Sequence, residues 1–372
     1  MKIIFTGGGT AGHVNPAVSM IEEIRRNRPT AEFLFIGRLG GDENRIIREK
    51  NIRCEEIEVR GIARRLSVQN VKNVFMAFNA RARARKIIKK FSPDVVVGTG
   101  GYVSWPVISA AKSLGIPTVI HESNVYPGLT TRLLAKRVDT VLLGNQKTRD
   151  YLGPKENMQV VGNPLRGDFL SQSREQARKR LGISKNEIFI VSFGGSIGAE
   201  KVNSAVLGVM RSLSAKTKNI RHIHAVGRRY YESIKRSEMP GADSGCTVVA
   251  YIDDMPTHLR AADIVICRCG AMTLSEIALV GVAAILIPSP NVTDNHQYKN
   301  GKFLSDMRSA ILIEESELSE KRLREKVALL CENKAERQRL SKSIEKFAKP
   351  EAKADCCHAV LSLIDDSREK SL

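Results

Sequence analysis

The sequence predicts an α/β protein built from two doubly wound domains, each a parallel sheet covered by helices on both faces, with the two facing each other across a cleft. Three observations lead there. Short β-branched runs alternate with amphipathic stretches almost throughout, the pattern of parallel sheets buried on both sides. The alternation comes in two series, and each opens with a strand that runs into a glycine-rich turn. The 372 residues also exceed what a single hydrophobic core usually organises.

In chain order, the first series places strands at Lys2–Thr6, Glu32–Gly37, Asp94–Gly98, Pro117–His121 and Asp139–Leu142. Val161-Gly162-Asn163-Pro164 then punctuates the chain as a hinge. The second series places strands at Glu187–Phe193, Ile220–Val226, Thr247–Ala250, Asp263–Cys267, Ala283–Pro288 and Ser309–Ile313, and from about Glu317 the pattern is helical only. The expected domains are therefore 1–162 and 163–347. The glycine turns are Gly7-Gly8-Gly9-Thr10-Ala11-Gly12, Gly98-Thr99-Gly100-Gly101 and Gly194-Gly195-Ser196-Ile197-Gly198. Glycine lets backbone N–H groups approach a ligand closely, and a helix that follows adds its positive end. In such folds ligands bind beyond the carboxyl ends of the strands.

Hydrophobic residues at 42% and charged residues at 27% exclude wholesale disorder. No apolar run approaches the roughly 20 residues that span a bilayer, and Met1–Thr6 is too short for a signal-peptide core, so a cytoplasmic protein is expected. The seven cysteines lack paired metal-ligand spacing and read as reduced thiols. No metal site and no cofactor are expected.

The net charge of +19 is uneven. Residues 60–93 carry Arg60, Arg64, Arg65, Lys72, Arg81, Arg83, Arg85, Lys86, Lys89 and Lys90 without one acid. Within that stretch Val71, Val74, Phe75 and Phe78 fall at i, i+3, i+4 and i+7, which taken alone reads as the core-facing side of a helix. Unrelieved positive charge nevertheless points to an anionic partner. Apolar groups beside the charges favour a membrane surface over nucleic acid, for which no stacking platform or recognition motif is present. Val71, Phe75, Phe78, Arg81, Arg83 and Arg85 are the expected membrane contacts.

Gly7-x-Gly9-x-x-Gly12 matches the dinucleotide fingerprint, but the second strand ends Ile36-Gly37-Arg38 without the acid that holds an adenosine ribose. No Gly-x4-Gly-Lys-Ser/Thr loop is present. His13 follows the first glycine turn, where a neutral imidazole can serve as general base. Further polar clusters sit just past strand ends: His121-Glu122-Ser123-Asn124, Arg268 with Thr273-Leu274-Ser275-Glu276, and Asp294-Asn295-His296-Gln297. Thr273 and Glu276 also have capping-box spacing.

These residues make the chain recognisable. The blocks GGGTAGHVNP (7–16), GTGGYVSWP (98–106), HESNVYPGLTTRLLA (121–135), VGNPLR (161–166), FGGSIGAEKVN (193–203), YIDDM (251–255), CRCGAMTLSEIA (267–278) and DNHQYKN (294–300) closely resemble the N-acetylglucosaminyltransferases of glycosyltransferase family 28, in order and across nearly the whole chain. The resemblance implies a GT-B fold, with a helix at about 348–366 returning to the N-terminal domain. It also implies inverting transfer of GlcNAc from UDP-GlcNAc to the 4-hydroxyl of MurNAc in lipid I (undecaprenyl-pyrophosphoryl-MurNAc-pentapeptide), giving lipid II for peptidoglycan. The alternative is another GT-B UDP-sugar transferase acting on a different membrane lipid.

By the family pattern the nucleotide sugar contacts Thr10, Ala11, Gly12, Asn124, Arg166, Ser196, Ile252, the run Ala271, Met272, Thr273, Leu274, Ser275, Glu276, and Gln297. In that pattern the Ile252 backbone meets uracil and Glu276 accepts the ribose hydroxyls. Ser196 and the helix after Gly195 hold the diphosphate, and Asn124 and Gln297 read the sugar. His13 is the expected base, with Glu122 as reserve or as the group that orients a neighbour. A peripheral seat on the cytoplasmic face of the cell membrane and partners in the cell-wall or division machinery are implied as well. Trp105, Ala11 and Cys269 depart from the family's usual glycine, glycine and serine.

Overall fold

A computed structural model describes residues 1–9, 11–61, 68–195, 197–214, 219–237 and 245–369. The chain divides into two compact units, Met1–Arg166 with Lys349–Leu372, and Gly167–Ala348. The first unit runs β1 (Lys2–Thr6), α1 (Ala11–Asn27), β2 (Glu32–Arg38), α2 (Asp42–Glu49), β3 (Arg53–Ile57), α3 (Val68–Phe91), β4 (Val95–Gly98), α4 (Ser104–Lys112), β5 (Thr118–Glu122), α5 (Leu129–Leu134), β6 (Thr140–Leu143), α6 (Thr148–Leu152) and β7 (Met158–Val160). Its sheet is parallel throughout, in the order β3-β2-β1-β4-β5-β6-β7.

Alternation along β1 sends side chains to two cores. Ile3 and Phe5 pack with α1, while Ile4 joins the opposite layer under α3, α4 and α5. The strands missing from the sequence reading are β3 and β7. Both are edge strands, one carrying Glu55 and Glu56 and the other only three residues long, so neither shows an apolar run.

The second unit runs α7 (Arg174–Arg180), β8 (Ile188–Phe193), α8 (Glu200–Ser214), β9 (Ile220–Ala225), α9 (Arg228–Ser237), β10 (Cys246–Val249), α10 (Met255–Ala261), β11 (Ile264–Cys267), α11 (Ala271–Val280), β12 (Ala283–Leu286), a 3₁₀ turn at Thr293–Asn295, α12 (His296–Asp306), β13 (Ile311–Leu312), α13 (Glu320–Glu332) and α14 (Lys334–Glu345). Its parallel sheet has the order β10-β9-β8-β11-β12-β13. The last helix, α15 (Ala352–Glu369), belongs to the first unit, where Cys356, Cys357, Val360 and Ile364 are buried against Met20, Ile21 and Ile24 of α1. All seven cysteines are free thiols.

The first strand of each unit lies at the centre of its sheet, beside the strand at which the order reverses. The glycine turns after β1 and β4, and the turns after β8 and β11, therefore sit at the two switch points where doubly wound sheets take ligands. No helix of the described residues is long and apolar enough to cross a membrane.

Helix α3 corrects the reading of its apolar stripe as a core face. Val74, Phe75 and Phe78 are 40%, 69% and 55% exposed, and the helix instead buries Asn73, Ala80, Ala84, Ile88 and Phe91. Two stripes compete on this helix, and the one with alanines lets it lie close on the sheet. Lys72, Arg83, Arg85, Lys86, Lys89 and Lys90 are exposed and Arg81 is half-exposed. Phe78 meets Trp105 of α4 edge to face at 5.9 Å. The side chain of Val71 lies outside the described residues, as do Arg64 and Arg65.

Candidate functional site

In the first unit, the turns after β1 and β4 interlock. Gly8 N–H donates to the Gly100 carbonyl at 3.3 Å, and Thr99 Oγ1 donates to the His13 carbonyl at 2.6 Å. Gly101 has φ +80°, and a Cβ there would collide with the Gly8 carbonyl. Gly100 has φ +105°, and a Cβ on it would lie 2.7 Å from His13 Cδ2. Only glycine therefore leaves room for the imidazole against this loop.

His13 Nδ1 lies 2.9 Å from the Gly8 carbonyl. A carbonyl only accepts, so Nδ1 carries the proton and Nε2 carries the lone pair of the neutral ring. The ring is thus held by its Nδ1–H, with Nε2 on the opposite edge. Thr10 lies outside the described residues and so does the Ala11 side chain, whereas Gly12 falls in the first turn of α1.

At the end of β5, Glu122 is buried and its carboxylate is saturated. Oε1 accepts from the Asn124 N–H at 3.0 Å and Asn124 Nδ2 at 3.1 Å. Oε2 accepts from Gly128 N–H at 2.9 Å and Thr131 Oγ1 at 2.6 Å. A carboxylate so engaged orients the 123–131 loop and, with it, the Asn124 amide. His121 beside it donates from Nε2 to the Gly162 carbonyl at 3.0 Å, and burial holds its imidazole below the usual histidine range. Arg166 reaches back to Asn15 Oδ1 of α1 at 3.2 Å.

In the second unit, the turn after β8 is pressed against the turn after β9. A Cβ on Gly198 (φ +85°) would collide with the Val226 carbonyl, and one on Gly227 (φ +88°) with the Ile197 carbonyl. Ser196 lies outside the described residues. Helix α8 opens with Glu200, an acid at its positive end. Helix α11 opens differently: its N-cap is Gly270, no side chain caps it, and its first turn holds no acid. The backbone N–H groups of Ala271, Met272 and Thr273 thus form an anion-ready terminus at the switch point. Thr273 lies inside this helix, so its spacing to Glu276 does not make a capping box.

Met272 and Leu274 bury their side chains, while Ala271, Thr273 and Ser275 remain partly exposed. Glu276 is half-exposed at its surface, yet desolvation pushes its carboxyl up to about 8. Ile252 is buried in the segment between β10 and α10, beside the exposed Tyr251. Gln297, on the first turn of α12, accepts the Ser289 N–H at 3.0 Å through Oε1. That contact orients the amide, so the NH₂ end is the one aimed elsewhere. Arg268, singled out in the sequence, bonds the Ile287 and Pro288 carbonyls at 3.3 and 3.1 Å and pairs with Glu315. It braces the strand ends. Asp254 accepts from Thr257 N–H as the cap of α10 and pairs with Arg180. Glu315 and the buried Glu43 carried no sequence signal, because each meets its partners only through the fold.

The glycosyltransferase family 28 N-terminal domain model matches residues 3–143 and the corresponding C-terminal domain model matches residues 189–355. Two curated relatives bear the name UDP-N-acetylglucosamine–N-acetylmuramyl-(pentapeptide) pyrophosphoryl-undecaprenol N-acetylglucosamine transferase. The one from Acetivibrio thermocellus is 39% identical over 343 residues, 92% of this chain and 93% of the relative. The one from Bacillus subtilis is 35% identical over 355 residues, 95% of this chain and 97% of the relative. The crystal structure of Acinetobacter baumannii MurG superposes with a TM-score of 0.76 at 25% identity, covering 97% of this chain and 99% of that one. A Neisseria meningitidis UDP-GlcNAc 2-epimerase, at 12% identity and a TM-score of 0.64, shares the fold alone. Two Rossmann-like units of GT-B type, matched by both domain models and by relatives of nearly the same length, show that the chain belongs to glycosyltransferase family 28.

Proposed function

We propose that this chain is an inverting glycosyltransferase that moves GlcNAc from UDP-GlcNAc to the 4-hydroxyl of MurNAc in lipid I, forming the β-1,4 bond of lipid II. One observation carries the reading: relatives bearing the transferase name match nearly the full chain, at 35–39% identity. The chemistry of each unit supports it.

His13 Nε2 takes the proton of the acceptor hydroxyl as that oxygen attacks the anomeric carbon. The bond from the anomeric carbon to the diphosphate oxygen breaks on the opposite face, and its electron pair leaves with UDP. Glu122 acts as the positioning group for Asn124 and is not the base, because four donors already occupy its oxygens. In the second unit the uncapped start of α11, together with Ser196 and its glycine turn, is the better cradle for the diphosphate than α8, which begins with an acid. Such electrostatic support suits a leaving group whose charge grows in the transition state. Ile252, Glu276 and Gln297 then take uracil, ribose and sugar, while Thr10, Ala11, Gly12 and Arg166 complete the contacts.

The acceptor's polyprenyl tail stays in the bilayer, so the enzyme comes to the surface. The exposed phenylalanines and acid-free basic face of α3 support a peripheral seat on the cytoplasmic face of an anionic membrane. Recruitment by cell-wall or division proteins belongs to the same proposal. The test is an acceptor panel with labelled UDP-GlcNAc, comparing a lipid I analogue with diacylglycerol-type glycolipids. Label is expected on the lipid I analogue only, and transfer to a glycolipid instead would overturn the acceptor assignment.

A further inference from the structure

Behind the His13 loop lies a carboxylate that the proposed reaction leaves unused. Glu43, on the first turn of α2, is only 5% exposed. Its Oε1 accepts the Arg38 N–H at 3.2 Å, and it sits at the positive end of α2. Two glycines make its pocket. A Cβ on Gly41 would lie 2.5 Å from each carboxylate oxygen, and a Cβ on Gly8 would collide with Oε1. Val103 closes the far side, 3.3 Å from the same Gly8 position. Gly8 is the residue whose carbonyl fixes His13 Nδ1 and whose N–H bonds Gly100. Gly8 therefore packs its α-carbon against a buried carboxylate while its carbonyl holds the imidazole.

We infer that Glu43 is a positioning residue for His13. Its carboxylate wedges the Gly8 peptide against the Gly100 turn, and its buried negative charge stabilises the imidazolium formed when Nε2 takes up the acceptor proton. Gly8 links the two groups, with its α-carbon packed on the carboxylate and its carbonyl accepting from the imidazole. This role of Glu43 rests on the reading of His13 as base. The titratable group of β5 that senses His13 is His121, whose protonation His13 opposes and the adjacent Glu122 favours.

The experiment compares wild type, Glu43→Gln, Glu43→Asp and His13→Ala. The pH profile of kcat/KM is measured with UDP-GlcNAc and a soluble lipid I analogue, and the histidine ring signals are followed by NMR titration, with His13 assigned by its loss in His13→Ala. Glu43→Gln keeps the shape and removes the charge. Its acid limb and its His13 titration are both expected to move to lower pH by about half a unit or more. Its plateau kcat is expected to fall about tenfold with the KM for UDP-GlcNAc unchanged. Glu43→Asp, which keeps the charge, should hold the limb near its wild-type position even where it lowers kcat, and it carries the test if the glutamine variant does not fold. An unmoved His13 titration in folded Glu43→Gln, or a limb in Glu43→Asp shifted as far as in the glutamine variant, would overturn the inference. Full activity in His13→Ala would instead overturn the base assignment, and the NMR arm would still report whether Glu43 acts on the ring.

Discussion

Membrane docking through α3 makes the most quantitative prediction. Phe75 and Phe78 are 69% and 55% exposed, and a phenylalanine side chain carries roughly 200 Å² of surface. At about 25 cal/mol per Å², moving both exposed faces fully out of water is worth about 3 kcal/mol each, and half-depth insertion about 3 kcal/mol for the pair. Phe75→Ser with Phe78→Ser should therefore weaken partition onto phosphatidylglycerol-containing vesicles about 100-fold, with little dependence on salt. Reversing Arg81, Arg83 and Arg85 removes attraction of about 1 kcal/mol per residue and adds repulsion, a loss that should fade in molar salt.

Vesicle cosedimentation reads the partition, and the single tryptophan supplies a second signal. Trp105 packs edge-on against Phe78, so its emission should shift to the blue as wild type binds. UDP-GlcNAc binding should be the same in all three proteins. If both variants partitioned like wild type, the assignment of this face to the membrane would be wrong.

Three other outcomes follow from the packing. Gly100→Ala places a methyl against the His13 ring at a backbone angle that disfavours any side chain, so kcat should fall about 100-fold with the donor KM kept. Glu276 has its carboxyl raised to about 8 and is mostly neutral at pH 7; Glu276→Gln should change the UDP-GlcNAc KM by no more than about threefold, against about 30-fold for Glu276→Ala. Ser192 Oγ lies 2.7 and 2.9 Å from buried His222 and His224, whose imidazoles are lowered to about 3 and about 4 by burial. The folded state keeps both neutral while the unfolded chain protonates below about 6.5. This stability is therefore present above that pH and is lost on acidification, by about 2 kcal/mol for each histidine at pH 5. Hydrogen exchange of β8 and β9 amides, compared with a His222→Leu and His224→Gln double variant, should show that slope in wild type only.

Central strands such as β1, β4, β8 and β11 were legible because burial on both faces makes them apolar runs. The edge strands β3 and β7 were not, since an edge tolerates the polar residues that hide it. The glycine turns and polar clusters around the sites could be read from composition, but their arrangement could not. The interlocking of the Gly8 and Gly100 turns, the tautomer of His13 and the saturation of Glu122 depend on loops brought together by strand order. The α3 stripe was misread when taken alone, because periodicity locates apolar faces without ranking them, and an alanine face packs more closely than one of phenylalanines. Likewise, the family resemblance pointed to Ser196 and the start of α8 for the diphosphate, while the acid at the start of α8 and the open start of α11 were not separable from composition.

The most direct test is release of UDP from UDP-GlcNAc with a short-chain lipid I analogue, in EDTA, for wild type and His13→Ala. Wild type is expected to turn over, and His13→Ala to lose about 100-fold or more in kcat at unchanged donor affinity. A wild-type enzyme that bound UDP-GlcNAc yet never used the lipid I analogue would contradict the proposed acceptor, and a fully active His13→Ala would contradict the proposed base.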